Sequence, residues 1–260
     1  MQYTIKCRPG QGENRPRQKD WRSSTMDYNN YDRGYAEPSM SASDYMTRTY
    51  RWMACGLLIT FAMAYLTATT PLLYLVDRLY FLLTIGELAL VFTLSARVQN
   101  MSVDGARAAF FGYALLNGMV LSYYFLMFSV GTLVMAFLAT AVYFGLMAAY
   151  GTTTHKDLTG WGPRLMMALL AMIVTSLVGL LFGFGFGSSI LYCGIGLVVF
   201  MLLTAYDTQK LRQMYAYYAA DSEMAEKASI YGALTLYLDF INIFLYVVRL
   251  LGLNSRSRNN

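Results

Sequence analysis

Charge is scarce in this 260-residue chain: Asp, Glu, Lys and Arg make up 13 % of it, against about 25 % in an average soluble domain. So few charges cannot solvate a globule whose residues are 57 % hydrophobic, which excludes an ordinary soluble enzyme. The same apolar content excludes intrinsic disorder for the chain as a whole. Histidine is scarcer still, a single residue (His155), so a His-rich metal site is excluded. An intramembrane serine protease would likewise lack its base, since His155 falls in a loop. Three cysteines (Cys7, Cys55, Cys193) make no disulfide framework. The five prolines all lie outside the interiors of the expected spans, so Pro-broken transporter helices find no support. No apolar run holds a lysine that could carry a retinal Schiff base.

What the chain does have is long uncharged runs. A helix needs about 20 apolar residues to cross roughly 30 Å of hydrocarbon. Trp52–Val76 is one such run, and Leu79–Ala96, interrupted only by Glu87, is a second. Ala108–Thr154 is 47 residues long, enough for two spans broken at Ser129-Val130-Gly131-Thr132. Leu165–Tyr206, 42 residues, is broken in the Gly-rich stretch from Gly183 to Ser189. Ala228–Val248, interrupted only by Asp239, is the last. The expected fold class is therefore all-α, a bundle of seven transmembrane helices with a membrane domain over residues 51–253 and a short polar C-terminal tail, 254–260.

Orientation follows from the basic residues. With the N-terminus inside, the inner segments hold sixteen Lys and Arg and the outer segments four. The N-terminus is thus expected in the cytoplasm and, after seven spans, the C-terminus outside. Arg249, Arg256 and Arg258 sit against that last assignment, which a re-entrant final helix would reverse. The first 51 residues carry nine of the twenty basic side chains, and residues 1–50, rich also in Asn, Gln, Tyr, Ser and Gly, read as a disordered cytoplasmic tail. Because the +5 net charge is largely a property of this tail, it gives no reason to expect a nucleic-acid partner. No apolar core follows the early basic residues, so no cleavable signal peptide is expected.

Ionisable residues inside a membrane are costly and mark function. Glu87, Asp207 and Asp239 are the acidic candidates. Each also has an ordinary reading: Glu87 as a carboxylate bonded to a neighbouring helix, Asp207 as an interfacial residue ahead of Gln209, Lys210 and Arg212. Residue 223 is the midpoint between the two aspartates, inside the polar stretch Ala219–Lys227, so an antiparallel hairpin turning there sets both at similar depth, roughly 24 Å from its tip. Two facing carboxylates in a low dielectric do not both ionise; they share a proton. Such a pair is a latch, closed when acid and repelled open when alkaline. Arg97, at the inner end of helix 2, is a candidate to capture a freed carboxylate, or else a positive-inside anchor. Asn242, one turn after Asp239, would face the pair. Asn117 in helix 3 is a further buried polar candidate, though such an Asn more often serves packing.

Three segments carry a resemblance. TAYDTQK (204–210) and GALTLYLDFINIFLYVVRLLG (232–252) resemble the signature ends of the Bax inhibitor-1 family, and TTTHKDLTGWG (152–162) looks like its bacterial branch. The resemblance implies a seven-helix fold with helix 7 wrapped by the other six, a cation pathway, and a calcium leak controlled by a pH-sensing aspartate pair. On this chain the pair is Asp207 and Asp239, which would also hold Ca2+ in passing. Relatives place an acidic residue and then an arginine in helix 2; Glu87 matches the acidic residue, and Arg97 stands one position out of register with the arginine. No enzymatic activity and no cofactor are expected, only Ca2+ as a permeant ion and the lipid bilayer as surroundings. Two other functions share these features: a non-conducting regulator that binds membrane proteins such as a quality-control protease, and a proton-coupled transporter.

Overall fold

The computed structural model describes residues 40–182, 189–218 and 220–258. These form seven α-helices, and no strand is present among them: α1 Ala42–Thr69, α2 Leu72–Arg97, α3 Val103–Met127, α4 Val130–Thr153, α5 Gly162–Phe182, α6 Ile190–Tyr218 and α7 Ser222–Arg258. Single 3-10 turns follow α2 (Val98–Asn100) and precede α5 (Thr159–Trp161). Six of the seven, all but the 21-residue α5, are long and apolar enough among their described residues to cross a membrane.

Short polar side chains set the helix starts by accepting from otherwise orphaned backbone N–H groups. Ser41 accepts from Asp44 N, Ser102 from Gly105 N, Ser129 from Thr132 N and Ser189 from Tyr192 N, at 3.1–3.2 Å. Ser129 confirms the break expected between the third and fourth spans. The Gly-rich break expected at 183–189 lies almost wholly outside the described residues. So does the tail up to residue 39, but α1 reaches back to Ala42, so the last part of the supposed tail is helix.

Two expected boundaries are corrected. The first run does not continue to Val76; α1 ends at Thr69 and α2 begins at Leu72, behind Pro71. Asp77 and Arg78 therefore lie in the second turn of α2 rather than in a loop, and Asp77 accepts from the Tyr123 hydroxyl at 2.7 Å. The second correction is the last hairpin. Its turn is not the whole polar stretch 219–227, because α7 already starts at Ser222. Asp221 caps it, taking the amides of Glu223 and Met224 at 2.9 and 3.1 Å.

The six apolar helices differ sharply in burial. In α2 only 6 % of the most apolar window is buried, whereas in α7 61 % is. Tyr74, Phe81 and Phe92 on α2 are at least 70 % exposed, as a lipid-facing surface requires. Tyr237, Leu234, Leu236, Ile243 and Val248 on α7 are at most 1 % exposed. Aromatic rings tie α7 to its neighbours: Phe244 to Phe61 on α1 at 5.1 Å, and Phe240 to Phe137 and Phe144 on α4 at 5.3 and 5.6 Å.

Without a hydrophobic drive between helices in lipid, close approach depends on small residues. A Cβ on Gly118 of α3 would stand 2.6 Å from the Thr60 carbonyl oxygen and 2.8 Å from Met63 Cβ of α1. One on Gly151 of α4 would strike the Ala205 backbone of α6. Gly118→Ala is thus expected to force α1 and α3 apart and to cost about 1–3 kcal/mol, read as a lower midpoint in a denaturing-detergent titration of the purified protein. Gly145→Ala, whose Cβ meets nothing within 4 Å, is the control and is expected to leave the midpoint in place.

Candidate functional site

The site is built around α7, whose residues 237 and 239 point to different neighbours because two helical steps turn the chain by about 200°. Asp239 is 4 % exposed and faces α6. Its side chain has Thr204 as a hydrogen-bond partner, the charge acting on it is that of Asp207, and its Oδ2 has no partner among the described residues. Asp207 is itself 8 % exposed, and the charge acting on it is that of Lys210, three residues on. The α6–α7 hairpin thus brings the two sequence-predicted aspartates together in a buried seam.

Their depths are not matched, however. Leu211 packs on Gly232, and Tyr246 packs where Gly196 leaves room, a register that sets Thr204 opposite Asp239. Asp207 lies about one turn, roughly 4.5 Å, nearer the tip of the hairpin. The cause is the early start of α7: with α6 ending at Tyr218 and α7 beginning at Ser222, the contacts centre the hairpin between residues 221 and 222 rather than at 223. Thr204 Oγ1 also donates to the Phe200 carbonyl at 2.9 Å. A hydroxyl has one proton to give, so towards Asp239 it is left as an acceptor.

Below Asp207 a cavity of about 310 Å³ opens between the ends of α2 and α6 and the start of α7. Lys210, Lys227, Gln99, Ser95 and Tyr218 line it. Lys210 lines the cavity and is also the cation whose charge acts on Asp207, although neither aspartate lines the cavity itself. Lys227 is held at its edge by Glu223 at 2.8 Å.

The opposite face of α7 carries a second polar group. Tyr237 shares a 2.6 Å hydrogen bond with Thr60 of α1, whose hydroxyl also reaches the Gly56 and Ala114 carbonyls at 3.0 and 2.9 Å. Next to Tyr237 are Tyr113 and Asn117 of α3, and both hydrogen-bond Glu87 of α2. Asn117 is 6 % exposed and its Oδ1 has no partner among the described residues. Glu87 therefore has the neighbouring-helix partners of its ordinary reading, in a cluster separate from the aspartates.

Two expected participants stand elsewhere. Arg97 is exposed at the end of α2 and makes no ion pair among the described residues; Lys210 is the cation beside the aspartates. Asn242 is half-buried, and its amide donates to the Leu238 carbonyl at 2.8 Å rather than to the pair.

Sequence reasoning missed three features. Thr204 stands in one of the motif segments, and its signal is spacing: a hydroxyl three residues before a buried Asp shares its helix face. Gln209 clamps the loop before α5, accepting from Leu158 N and donating to the Lys156 carbonyl, both at 2.8 Å. Two of the three segments carrying the family resemblance are thereby in contact. Finally, Glu226 takes hydrogen bonds from Arg48 of α1 and from Arg107 of α3, the latter at 2.7 Å. No spacing in the chain links positions 48, 107 and 226.

Apolar helices with lipid-facing surfaces around buried carboxylates define a multi-pass integral membrane protein. The chain belongs to the Bax inhibitor-1 family: it matches the family described as "Inhibitor of apoptosis-promoting Bax1" over residues 42–256. It is 40 % identical over 224 residues to "Inner membrane protein YbhL" of Escherichia coli K12, covering 83 % of this chain and 94 % of that one. A Deinococcus radiodurans protein is 44 % identical over 210 residues, 79 % and 89 % of the two chains. "Uncharacterized membrane protein SpyM3_0260" of Streptococcus pyogenes is 29 % identical over 226 residues, 85 % and 97 %.

Proposed function

We propose that the protein is a non-enzymatic seven-span cation leak of the cell inner membrane, carrying calcium and gated by protons at Asp207 and Asp239. The observation that carries this reading is the buried α6–α7 seam itself: two carboxyl groups about a turn apart, one with an unpartnered oxygen, above a cavity open at the end of the bundle. Two carboxylates are too few for a resident Ca2+, which takes six to eight oxygens. They suit an ion in transit.

Seven spans, rather than six, are supported by which ends meet. The ion pairs of Glu226 with Arg48 and Arg107 put the starts of α1, α3 and α7 at one end. The Gln209 clamp puts the end of α4 near the later part of α6, at that same end. The start of α6 is held to the second half of α5 by Tyr192, whose hydroxyl meets the Ser176 hydroxyl at 2.5 Å and the Met172 carbonyl, at mid-helix, at 2.9 Å. These contacts support a helix α5 that runs from one end to the other. The basic residues favour that first end as cytoplasmic, with the C-terminus outside. The burial of α7 and its packing against α1, α3, α4 and α6 support its place at the centre.

The direct test is purified protein in calcium-loaded vesicles. Release is expected to exceed that from protein-free vesicles and to be faster at alkaline than at acid pH. Release equal to that of protein-free vesicles at every pH overturns the leak.

A further inference from the structure

A slot of about 260 Å³ lies between α4, the 154–161 loop, the start of α5 and α6, away from the aspartates. Its rim carries Lys156 and Asp157, neighbours of opposite charge; Tyr150, Trp161 and Tyr206 line it, and Leu165 and Leu202 form its apolar wall. The loop is held in place. Gln209 bonds the backbone on both sides of Asp157, at Lys156 O and Leu158 N. Arg212 donates to the Thr152 carbonyl. Asp157 caps its own loop, accepting from Thr159 N at 2.8 Å, and the Thr159 hydroxyl and amide hold its carboxyl below the ordinary carboxylate range. A carboxylate has about four acceptor sites, so capacity remains for a ligand. Trp161 and Tyr150 are 48 % and 44 % exposed, amphipathic rings of the kind that sit at headgroup level.

An anion alone would meet Asp157 at the rim, and a cation alone would meet Lys156. A zwitterion satisfies both, and the leucine wall requires an apolar extension of the same molecule. We propose that this slot binds a zwitterionic phospholipid with a primary ammonium, of the phosphatidylethanolamine class: phosphate on Lys156, ammonium on Asp157, and the start of an acyl chain along Leu165 and Leu202. The N–H donors of a primary ammonium give Asp157 charge-assisted hydrogen bonds that a trimethylated choline lacks. Such a lipid would brace the clamp between the loop and α6. The site does not depend on ion conduction, so it stands or falls separately from the leak.

The probe is quenching of tryptophan by brominated acyl chains in vesicles of defined composition, the Trp161 share being the part lost in Trp161→Phe. Brominated phosphatidylethanolamine in a phosphatidylcholine background is expected to half-quench Trp161 at a mole fraction at least about fivefold below that of brominated phosphatidylcholine, with phosphatidylglycerol between them. Asp157→Asn, which keeps an acceptor for the Thr159 amide, is expected to erase the advantage of phosphatidylethanolamine over phosphatidylglycerol. Lys156→Gln is expected to weaken both. Quenching in proportion to mole fraction for all three lipids, a preference for phosphatidylglycerol, or an advantage that survives Asp157→Asn overturns the proposal.

Discussion

Vesicles carrying Asp239→Asn are expected to release calcium at one slow rate across the pH range over which the wild-type rate climbs. Asparagine keeps the shape of the side chain and removes its charge, so it stands permanently for the protonated carboxyl. Its amide nitrogen takes the place of the unpartnered Oδ2 or of the oxygen facing Thr204, whose hydroxyl is available as an acceptor. Little packing is therefore lost and the variant should fold. What disappears is the repulsion that opens the seam. Two unit charges about 6 Å apart, at an effective dielectric of about 20, repel by on the order of 3 kcal/mol. That is enough to shift a two-state gate by about a hundredfold, and the alkaline release rate should fall by at least about tenfold. The groups facing the pair are Lys210, on the same helix, and Thr204; Glu87 lies beyond α7 in its own cluster. Asp207→Asn should flatten the profile in the same way. If Asp239→Asn keeps the wild-type pH profile, the gate is not this pair.

Helix number and most of the helix positions could be read from the sequence because charge marks the bundle ends. The α3–α4 break was legible in Ser129, a helix cap as well as a turn residue. The α1–α2 break was not, because no charge falls between Trp52 and Val76, and Asp77 and Arg78 enter the helix, Asp77 with a partner from α3. The α6–α7 turn misled for a related reason: Glu223, Glu226 and Lys227 look like loop residues until their partners are known. A displacement of the hairpin centre by about one and a half residues, at about 3 Å each, moves Asp239 relative to Asp207 by roughly a helical turn, although both aspartates are buried. Asp221 was the available signal, an N-cap ahead of Ser-Glu-Met. Arg97 failed differently. Its position at the end of α2 was right, but which cation stands beside Asp207 depends on α6 alone, where Lys210 follows within one turn.

Glu226→Ala should have the largest effect on stability of any single substitution outside the seam. The residue is 8 % exposed and lies one turn into α7. It neutralises Arg48 and Arg107 and so joins the starts of α1, α3 and α7. Arg107 is held further by Trp52, whose ring lies 5.3 Å below its guanidinium, and by Asp104 at 2.9 Å. Removing one partner of a buried ion pair costs about 3–5 kcal/mol. Here both arginine side chains are 37–39 % exposed, so water meets part of that loss, and the expected cost is nearer about 2–4 kcal/mol. Glu226→Gln keeps one acceptor and should lose about half as much. A denaturing-detergent titration of wild type, both variants, Arg107→Ala and the Arg107→Ala/Glu226→Ala pair measures this directly. Because Arg48 still needs the carboxylate when Arg107 is gone, the double variant should fall short of the summed losses by about 1–2 kcal/mol rather than cancel them. Strict additivity would mean that the two charges do not act on each other. An unchanged midpoint in Glu226→Ala would mean that the joint between the three helices is made by packing alone.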